Sequence, residues 1–322
     1  MAARGRGRAH RRRAHRRVVP REEKVTFYYG RPVLKEPVWK VPDVPAYLYL
    51  GGMAGASSTM ALLAELTGRP RLARAGRLAA AVGATTSVGF LVHDLGRPMR
   101  FLAMLRVLKP TSPLSVGSWI LAPFSGLAGA AAASELTGLL PLPGRAAGVV
   151  AGVIAPAMTT YTAVLLSDTA VPGWHEGYRE LPFVFAGSAV SSAGAVGMVA
   201  APAESGPARR MAVAGSVLEL AASRRMESRL GLAAEAYRTG RAGRVLRTAR
   251  AATAVGAGLA LVAGRSRAAA IAAGGCLTLG AIATRFGVFE AGRETARDPR
   301  YVVEPQRERV GETGSSVRGQ QH

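Results

Sequence analysis

The sequence predicts an all-α integral membrane protein of about eight transmembrane helices. Three observations carry that prediction. Apolar stretches of roughly bilayer-spanning length, about 20 residues each, recur along the chain. Arginines crowd both tails and the connections between those stretches, and they avoid the stretch centres. The 322 residues are 49% apolar and only 6% aromatic, enough for about seven to nine such spans.

The formal net charge of +22 first suggests a nucleic-acid partner. Its distribution excludes one, because a nucleic-acid binder threads a basic face through its folded domain. Here charge brackets the apolar segments, as in membrane proteins. Lys is scarce, while Arg, Ala and Gly are abundant. We read that as a GC-rich coding bias, so individual arginines carry little weight. The only cysteine is Cys276. Disulfides, cysteine-ligated zinc and iron–sulfur clusters held by this chain alone are therefore excluded.

In chain order, residues 1–26 are a basic, low-complexity arm. No apolar core follows closely, so the arm is not an ordinary signal peptide. It reads as a disordered cytoplasmic tail that touches anionic membrane lipid. Residues 27–44 form a Pro-rich interfacial segment, with Tyr28, Tyr29 and Trp39 as an aromatic belt. The transmembrane domain covers 45–290, and a polar C-terminal tail covers 291–322. Within the domain the spans are 45–66, 76–95, 115–137, 146–170, 181–201, 209–223, 249–264 and 268–288. The sixth is short and carries Arg209, Arg210 and Glu219. The last two are rich in Ala and Gly. Gly51 with Gly55, and Gly148 with Gly152, permit close helix approach.

Orientation follows from basic residues near the span ends. With the N-terminus inside, the inner connections hold Arg97, Arg100, Arg106, Lys109, Arg179 and a dense set from Arg224 to Arg247. The outer ones hold Arg69, Arg71, Arg74, Arg77, Arg145, Arg209, Arg210, Arg265 and Arg267. The basic N-terminal arm tips the balance. The expectation is a multi-pass protein of the cell membrane with both termini cytoplasmic.

An internal echo runs through the first half. The string ELTG closes the first span at Glu65–Gly68 and the third at Glu135–Gly138. D-x-x-x-P closes the second at Asp94–Pro98 and the fourth at Asp168–Pro172. The offsets are 70 and 74 residues, which points to repeated helix hairpins.

Ionisable groups at membrane depth face a partner, a cavity or water. The candidates are Glu65, His93, Asp94, Glu135, Asp168, Glu219 and Arg285. On the N-terminal side, His93 and Asp94 end the second span and Asp168 ends the fourth. Ser118 and Trp119 open the third. Tyr161 precedes Asp168 by seven residues, on the same helix face and about 10 Å deeper. A phenol and an imidazole near carboxylates suit a quinone: two groups hold its carbonyls, and Asp94 and Asp168 relay protons. The same residues also fit a proton path without a quinone, or a structural role. Haem is excluded otherwise. A transmembrane b-type haem needs paired histidines within the spans. His10, His15 and His322 are in tails, His175 is in a connection and His93 is at a span end. Arg97, Arg100, Lys109, Trp174 and His175 are candidates for partner docking.

The strings D-L-G-R-P-x-R-F at Asp94–Phe101, K-P-T-S-P-x-S at Lys109–Ser115, Ser118-Trp119 and Y-T-x-V-L-L-S at Tyr161–Ser167 resemble the NrfD/PsrC family of polysulfide reductase membrane subunits. The resemblance covers about residues 27–200. It implies an eight-helix anchor without a cofactor of its own, exchanging electrons between quinone, of menaquinone type, and a four-cluster ferredoxin-like iron–sulfur subunit. That partner is wired to a molybdopterin catalytic subunit of formate dehydrogenase or polysulfide/thiosulfate reductase type. By the motif, Asp94, Arg97, Lys109, Ser118, Trp119 and Tyr161 carry over, with Tyr161 as the quinone-contacting tyrosine of the fourth span. The family's His and Asn on the first helix have no counterpart in Ala46–Tyr49. Tyr47, Tyr49 or His93 is left to make that contact. A proton-translocating or transporter-type subunit without redox work, and a purely structural anchor, are the alternatives.

Overall fold

The computed structural model describes residues 33–307. The basic arm, Tyr28 and Tyr29, and the end of the C-terminal tail lie outside the described residues. Among those described there are eight long helices, one for each expected span, and no strand. In chain order the helices are α1 (Asp43–Leu66), α2 (Pro70–Leu95), α3 (Pro98–Met104), α4 (Pro113–Thr137), α5 (Pro141–Ser167), α6 (Pro172–His175), α7 (Leu181–Ala200), α8 (Gly206–Arg229), α9 (Ala234–Arg238), α10 (Gly240–Val262) and α11 (Arg267–Arg297).

The boundaries follow from local chemistry. Prolines occupy the first turn of α2, α4, α5, α7 and α8, where the missing N–H has no intrahelical acceptor to lose. Gly96 and Gly138, both with φ of 70°, stop α2 and α4 in the left-handed conformation that glycine adopts without steric penalty. Five long helices clearly overrun their expected ends: α2, α5 and α10 at their starts, α8 at both ends and α11 by running on to Arg297. Arginine is a good helix former, so a basic run that reads as a connection continues the helix instead.

The helices pack as sequential hairpins, α1 with α2, α4 with α5, α7 with α8 and α10 with α11. α1 is the hub and also touches α5, α7 and α11. Six of the eight long helices are long and apolar enough to cross a membrane: α2, α4, α5, α7, α10 and α11. The other two fall short for different reasons. α1 is enclosed by other helices, so Ser57 and Ser58 are buried against protein. α8 carries arginines at both ends and a buried Glu219 between them. The molecule is an all-α, multi-pass membrane protein.

The starts of α1, α4, α7 and α10 share one face of the bundle with the ends of α2, α5, α8 and α11. We call this face the mouth. Both ends of the described chain lie there, as do α3, α6 and α9. The largest buried cluster, including Leu48, Phe124, Met158, Leu166, Trp174, Phe185 and Phe289, lies toward it. A second cluster around Met60, Leu72, Met198 and Leu277 fills the opposite half.

Candidate functional site

Residues 33–42 contain two prolines, Pro37 and Pro42, and form no helix. They lie as a strap across the mouth. Glu36 pins one end, because its carboxylate accepts from Arg293 Nη2 at 2.9 Å and Arg297 Nη2 at 2.6 Å on α11. Those hydrogen bonds, Arg297 foremost and then Arg293, hold the Glu36 carboxyl below its ordinary range. Trp39 is stacked on Trp174, with ring centroids 5.5 Å apart, and faces Phe289 at 6.4 Å. Trp39 is therefore partly buried, packed against the edge of the large cluster. At the other end the Lys40 N–H donates to Asp94 Oδ1 at 2.9 Å. The first residue of α1, Asp43, pairs with His93 Nδ1 at 2.7 Å.

The strap thus fixes the end of α2 and both of its ionisable residues. His93 is 75% exposed while Asp43 is 7% exposed. The pair therefore links an accessible imidazole to a buried carboxylate. One turn below Asp43, Tyr47 is buried in the large cluster, and Tyr161 of α5 packs against the same cluster. Tyr161 is half-buried. Its ring lies against Gly117 of α4, and a Cβ at that position would overlap it. The two tyrosines thus share the cluster at the mouth, with Asp94 held by the strap and His93 at the rim. Tyr49 faces the other way, toward Ser192, Thr278 and Arg285.

Other expected residues stand apart. Ser118 is buried, and its hydroxyl donates to the Leu114 carbonyl at 2.9 Å within α4. Trp119 is 42% exposed. Two residues beyond Gly117 puts it about 200° around the helix from the face that meets Tyr161. Asp168 is exposed at the end of α5, and among the described residues no hydrogen bond or ion pair is seen at its carboxylate. It is not joined to Asp94.

Arg97, Arg100 and Lys109 are exposed on and after α3. Arg100 donates to the Leu95 carbonyl at 3.0 Å, and the Lys109 N–H donates to Ser115 Oγ at 3.0 Å. Met99, Leu102, Val107 and Leu108 are exposed beside them, so this segment offers a mixed apolar and basic surface. His175 is also exposed, with Nδ1 3.0 Å from the Ser167 carbonyl oxygen. Trp174 corrects the docking expectation. It is completely buried and its Nε1–H donates to the Val288 carbonyl at 2.8 Å. The turn of α6 aims it inward, and Gly292 of α11 leaves the room for it.

Two further ionisable sets lie away from the strap. On the opposite face, Arg77 of α2 binds Glu65 and also Glu135, the latter at 2.5 Å, and Arg145 binds Glu65 at 2.8 Å. The two echoed glutamates therefore meet on one arginine. Deep in the bundle, Arg285 of α11 is fully buried. It lies 3.8 Å over the Phe185 ring and donates to the Phe185 carbonyl at 2.9 Å. Glu219 of α8 accepts from Thr284 Oγ1 at 2.6 Å, and its second oxygen is buried without a partner. Of the residues singled out from sequence, His93 and Asp94 lie at the end of α2 and Tyr161 lies in the last two turns of α5, at the same end of the bundle. It missed Asp43, Lys40 and Arg77 as partners. The ELTG echo was the one signal that pointed at Arg77, since it marked both of its acids.

Among the described residues no group of three or more His, Cys, Asp and Glu side chains is arranged to hold a metal ion. The family model for "Polysulphide reductase, NrfD" matches residues 32–221. That is more than half of the chain, and it includes the strap, the Asp94 and Tyr161 cluster and Glu219. No curated protein matches the chain.

Proposed function

The chain belongs to the NrfD polysulphide reductase family, and on that premise we propose that it is the quinone-reactive membrane subunit of a molybdopterin oxidoreductase. In this reading a ferredoxin-like iron–sulfur subunit docks on the mouth and exchanges electrons with membrane quinone, of menaquinone type, held beneath the strap. The mouth then faces the cytoplasm, which suits its basic connections and the basic N-terminal arm.

One observation carries the reading: Tyr47 lies in the buried cluster against which Tyr161 packs, at the end of the bundle where the Lys40 N–H holds Asp94 and the His93–Asp43 pair reaches water. The surroundings fit a quinone head. Leu91, Leu121, Phe124 and Met158 are apolar neighbours in the same cluster, and two phenols supply hydrogen-bond donors for two carbonyl oxygens. Reduction takes two electrons from the partner and places one proton on each oxygen; oxidation returns both. Tyr161 and Tyr47 orient the oxygens. Asp94, held by the Lys40 N–H, and the exposed His93 pass protons between the site and water. Arg97, Arg100 and Lys109, with the exposed apolar residues of α3, form the docking surface.

The test is purification of the chain from its native membrane in mild detergent with whatever accompanies it, followed by quinol turnover of that assembly. An iron–sulfur protein and a molybdopterin enzyme should travel with it. Tyr161→Phe and Asp94→Asn should each lower quinol turnover while the assembly stays intact. Wild-type turnover in both variants would refute the site.

A second reading, a proton-translocating subunit, is favoured by Glu219. A small cavity lined by Glu219 and Thr284 extends to Glu227 and Arg250 near the mouth. Glu219→Gln tests it: loss of proton movement in liposomes with quinol turnover retained would favour translocation.

A further inference from the structure

At the mouth, a groove of about 440 Å³ opens between the start of α7 and the end of α8. Arg179, Arg225 and Arg229 line its rim, with Glu180 among them and Phe183 and Leu218 forming its apolar wall. Three arginines against one carboxylate leave a net charge of +2 at the rim. Glu180 is buried and accepts from Arg229 at 2.5 Å, with Arg225 at 3.6 Å. It therefore fixes two guanidiniums at the rim. Each guanidinium has five N–H donors, so most remain available for an incoming anion. Arg179 is held separately, with its Nε–H on the Tyr178 hydroxyl at 2.7 Å.

The wall below the rim is exposed, with Phe183 at 57% and Leu218 at 39%. Leu218 precedes Arg225 by seven residues and so lies about 10 Å deeper along α8. Depth can also be set from the charges on α8 itself. Arg209 and Arg229 bracket the helix and are 20 residues apart, about 30 Å of rise, which equals the thickness of a bilayer's hydrocarbon core. Arg229 then sits at headgroup level, Arg225 one turn below reaches that level by extending its side chain, and Phe183 and Leu218 sit at the level of the acyl chains.

We propose that this groove is a binding site for an anionic phospholipid. The phosphodiester lies among Arg179, Arg225 and Arg229, and one acyl chain runs over Phe183 and Leu218. Charge complementarity selects the anionic headgroup, and the apolar wall selects a lipid over a free phosphate. The site is independent of the quinone reading, since it needs only that α7 and α8 lie in a bilayer.

The full-length chain, delipidated in detergent, is titrated with phosphatidylglycerol and with phosphatidylcholine, and bound lipid is counted by native mass spectrometry. Glycerophosphoglycerol and inorganic phosphate serve as headgroup-only and free-anion arms. Phosphatidylglycerol should bind at least about tenfold more tightly than phosphatidylcholine, given the worth of each basic residue near an anionic lipid surface. The variant carrying Arg179→Gln, Arg225→Gln and Arg229→Gln should lose that preference, whereas the variant carrying Arg241→Gln, Arg244→Gln and Arg265→Gln, the same charge change at exposed positions away from the groove, should keep it. Phe183→Trp provides a readout with the arginines intact. In bilayers, brominated phosphatidylglycerol should quench its added fluorescence more than brominated phosphatidylcholine. Equal binding of both lipids, full preference in the groove triple variant, displacement of the lipid by inorganic phosphate alone, or a photocrosslink from position 183 to a protein subunit in the native assembly would each overturn the proposal.

Discussion

Arg77→Met should destabilise the bundle by about 2 kcal/mol, by stranding one glutamate. Removing one member of a buried ion pair costs about 3–5 kcal/mol. The Arg77 network is partly shielded, with side-chain exposures of 14% for Arg77, 19% for Glu65 and 24% for Glu135. Glu65 keeps Arg145 at 2.8 Å after the substitution, so only Glu135 loses its partner. Half of the full penalty, about 2 kcal/mol, is the reasoned figure. It should be read as a shift of the unfolding midpoint when the purified chain is titrated with denaturing detergent in mixed micelles. Glu135→Gln is the second arm, because an amide in that place carries no stranded charge. The double variant should then lose less than the sum of the two singles, with a coupling of about 1–2 kcal/mol. A loss under about 0.5 kcal/mol for Arg77→Met, or simple additivity with Glu135→Gln, would refute the idea that this arginine ties the first two hairpins together.

Three other outcomes follow from the mouth. Gly117→Ala should push the Tyr161 ring off α4 and raise the KM for quinol by about two- to tenfold, the worth of one neutral hydrogen bond; an unchanged KM would separate Tyr161 from quinone contact. Trp174→Ala should cost about 3–5 kcal/mol, as for other buried aromatics, and should increase deuterium uptake across residues 33–42, because Trp39 loses its stacking partner; protection equal to wild type would show that the strap does not depend on that stack. The strap's other anchor should respond to acid. The Glu36 carboxyl is held below its ordinary value of 4.5 by Arg297 and Arg293. Its stabilising effect is therefore fully present above that value and lost as pH falls through the depressed one. Strap deuterium uptake, corrected for intrinsic exchange, should rise in that acid range in wild type and be high already at neutral pH in Glu36→Gln.

The helices were legible because apolar length is a local property. Each of the eight spans can be read from its own residues, and each appears as a long helix. Boundaries were less legible where charge and helix propensity disagree. The run Arg241–Arg247 reads as a connection, yet α10 starts at Gly240, since arginine side chains reach out to water from a helix that continues beneath them. The site was legible only in part, for a geometric reason. His93 and Asp94 could be placed at a span end from sequence alone, but their partners Asp43 and Lys40 are 50 and 54 residues away. Trp174 reads as a loop residue until α11 is present to accept it. Trp119 neighbours Gly117 in sequence, yet the turn of α4 carries it away from Tyr161.

The proposed working face, the mouth, differs from the opposite face in what it leaves open. On the opposite face the ionisable residues Arg77, Glu65, Glu135 and Arg145 satisfy one another across hairpins, which is what a structural clasp requires. The mouth has clasps of that kind too, Glu36 with Arg293 and Arg297 and Glu180 with Arg229, and a second pattern beside them. The strap uses backbone and carboxylate groups to fix Asp94 and His93, yet the imidazole is left exposed, and the basic and apolar residues of α3 remain uncovered. On the proposed reading, a held Asp94 and an exposed His93 beside the cluster of Tyr47 and Tyr161 suit proton-coupled chemistry beneath a docked partner.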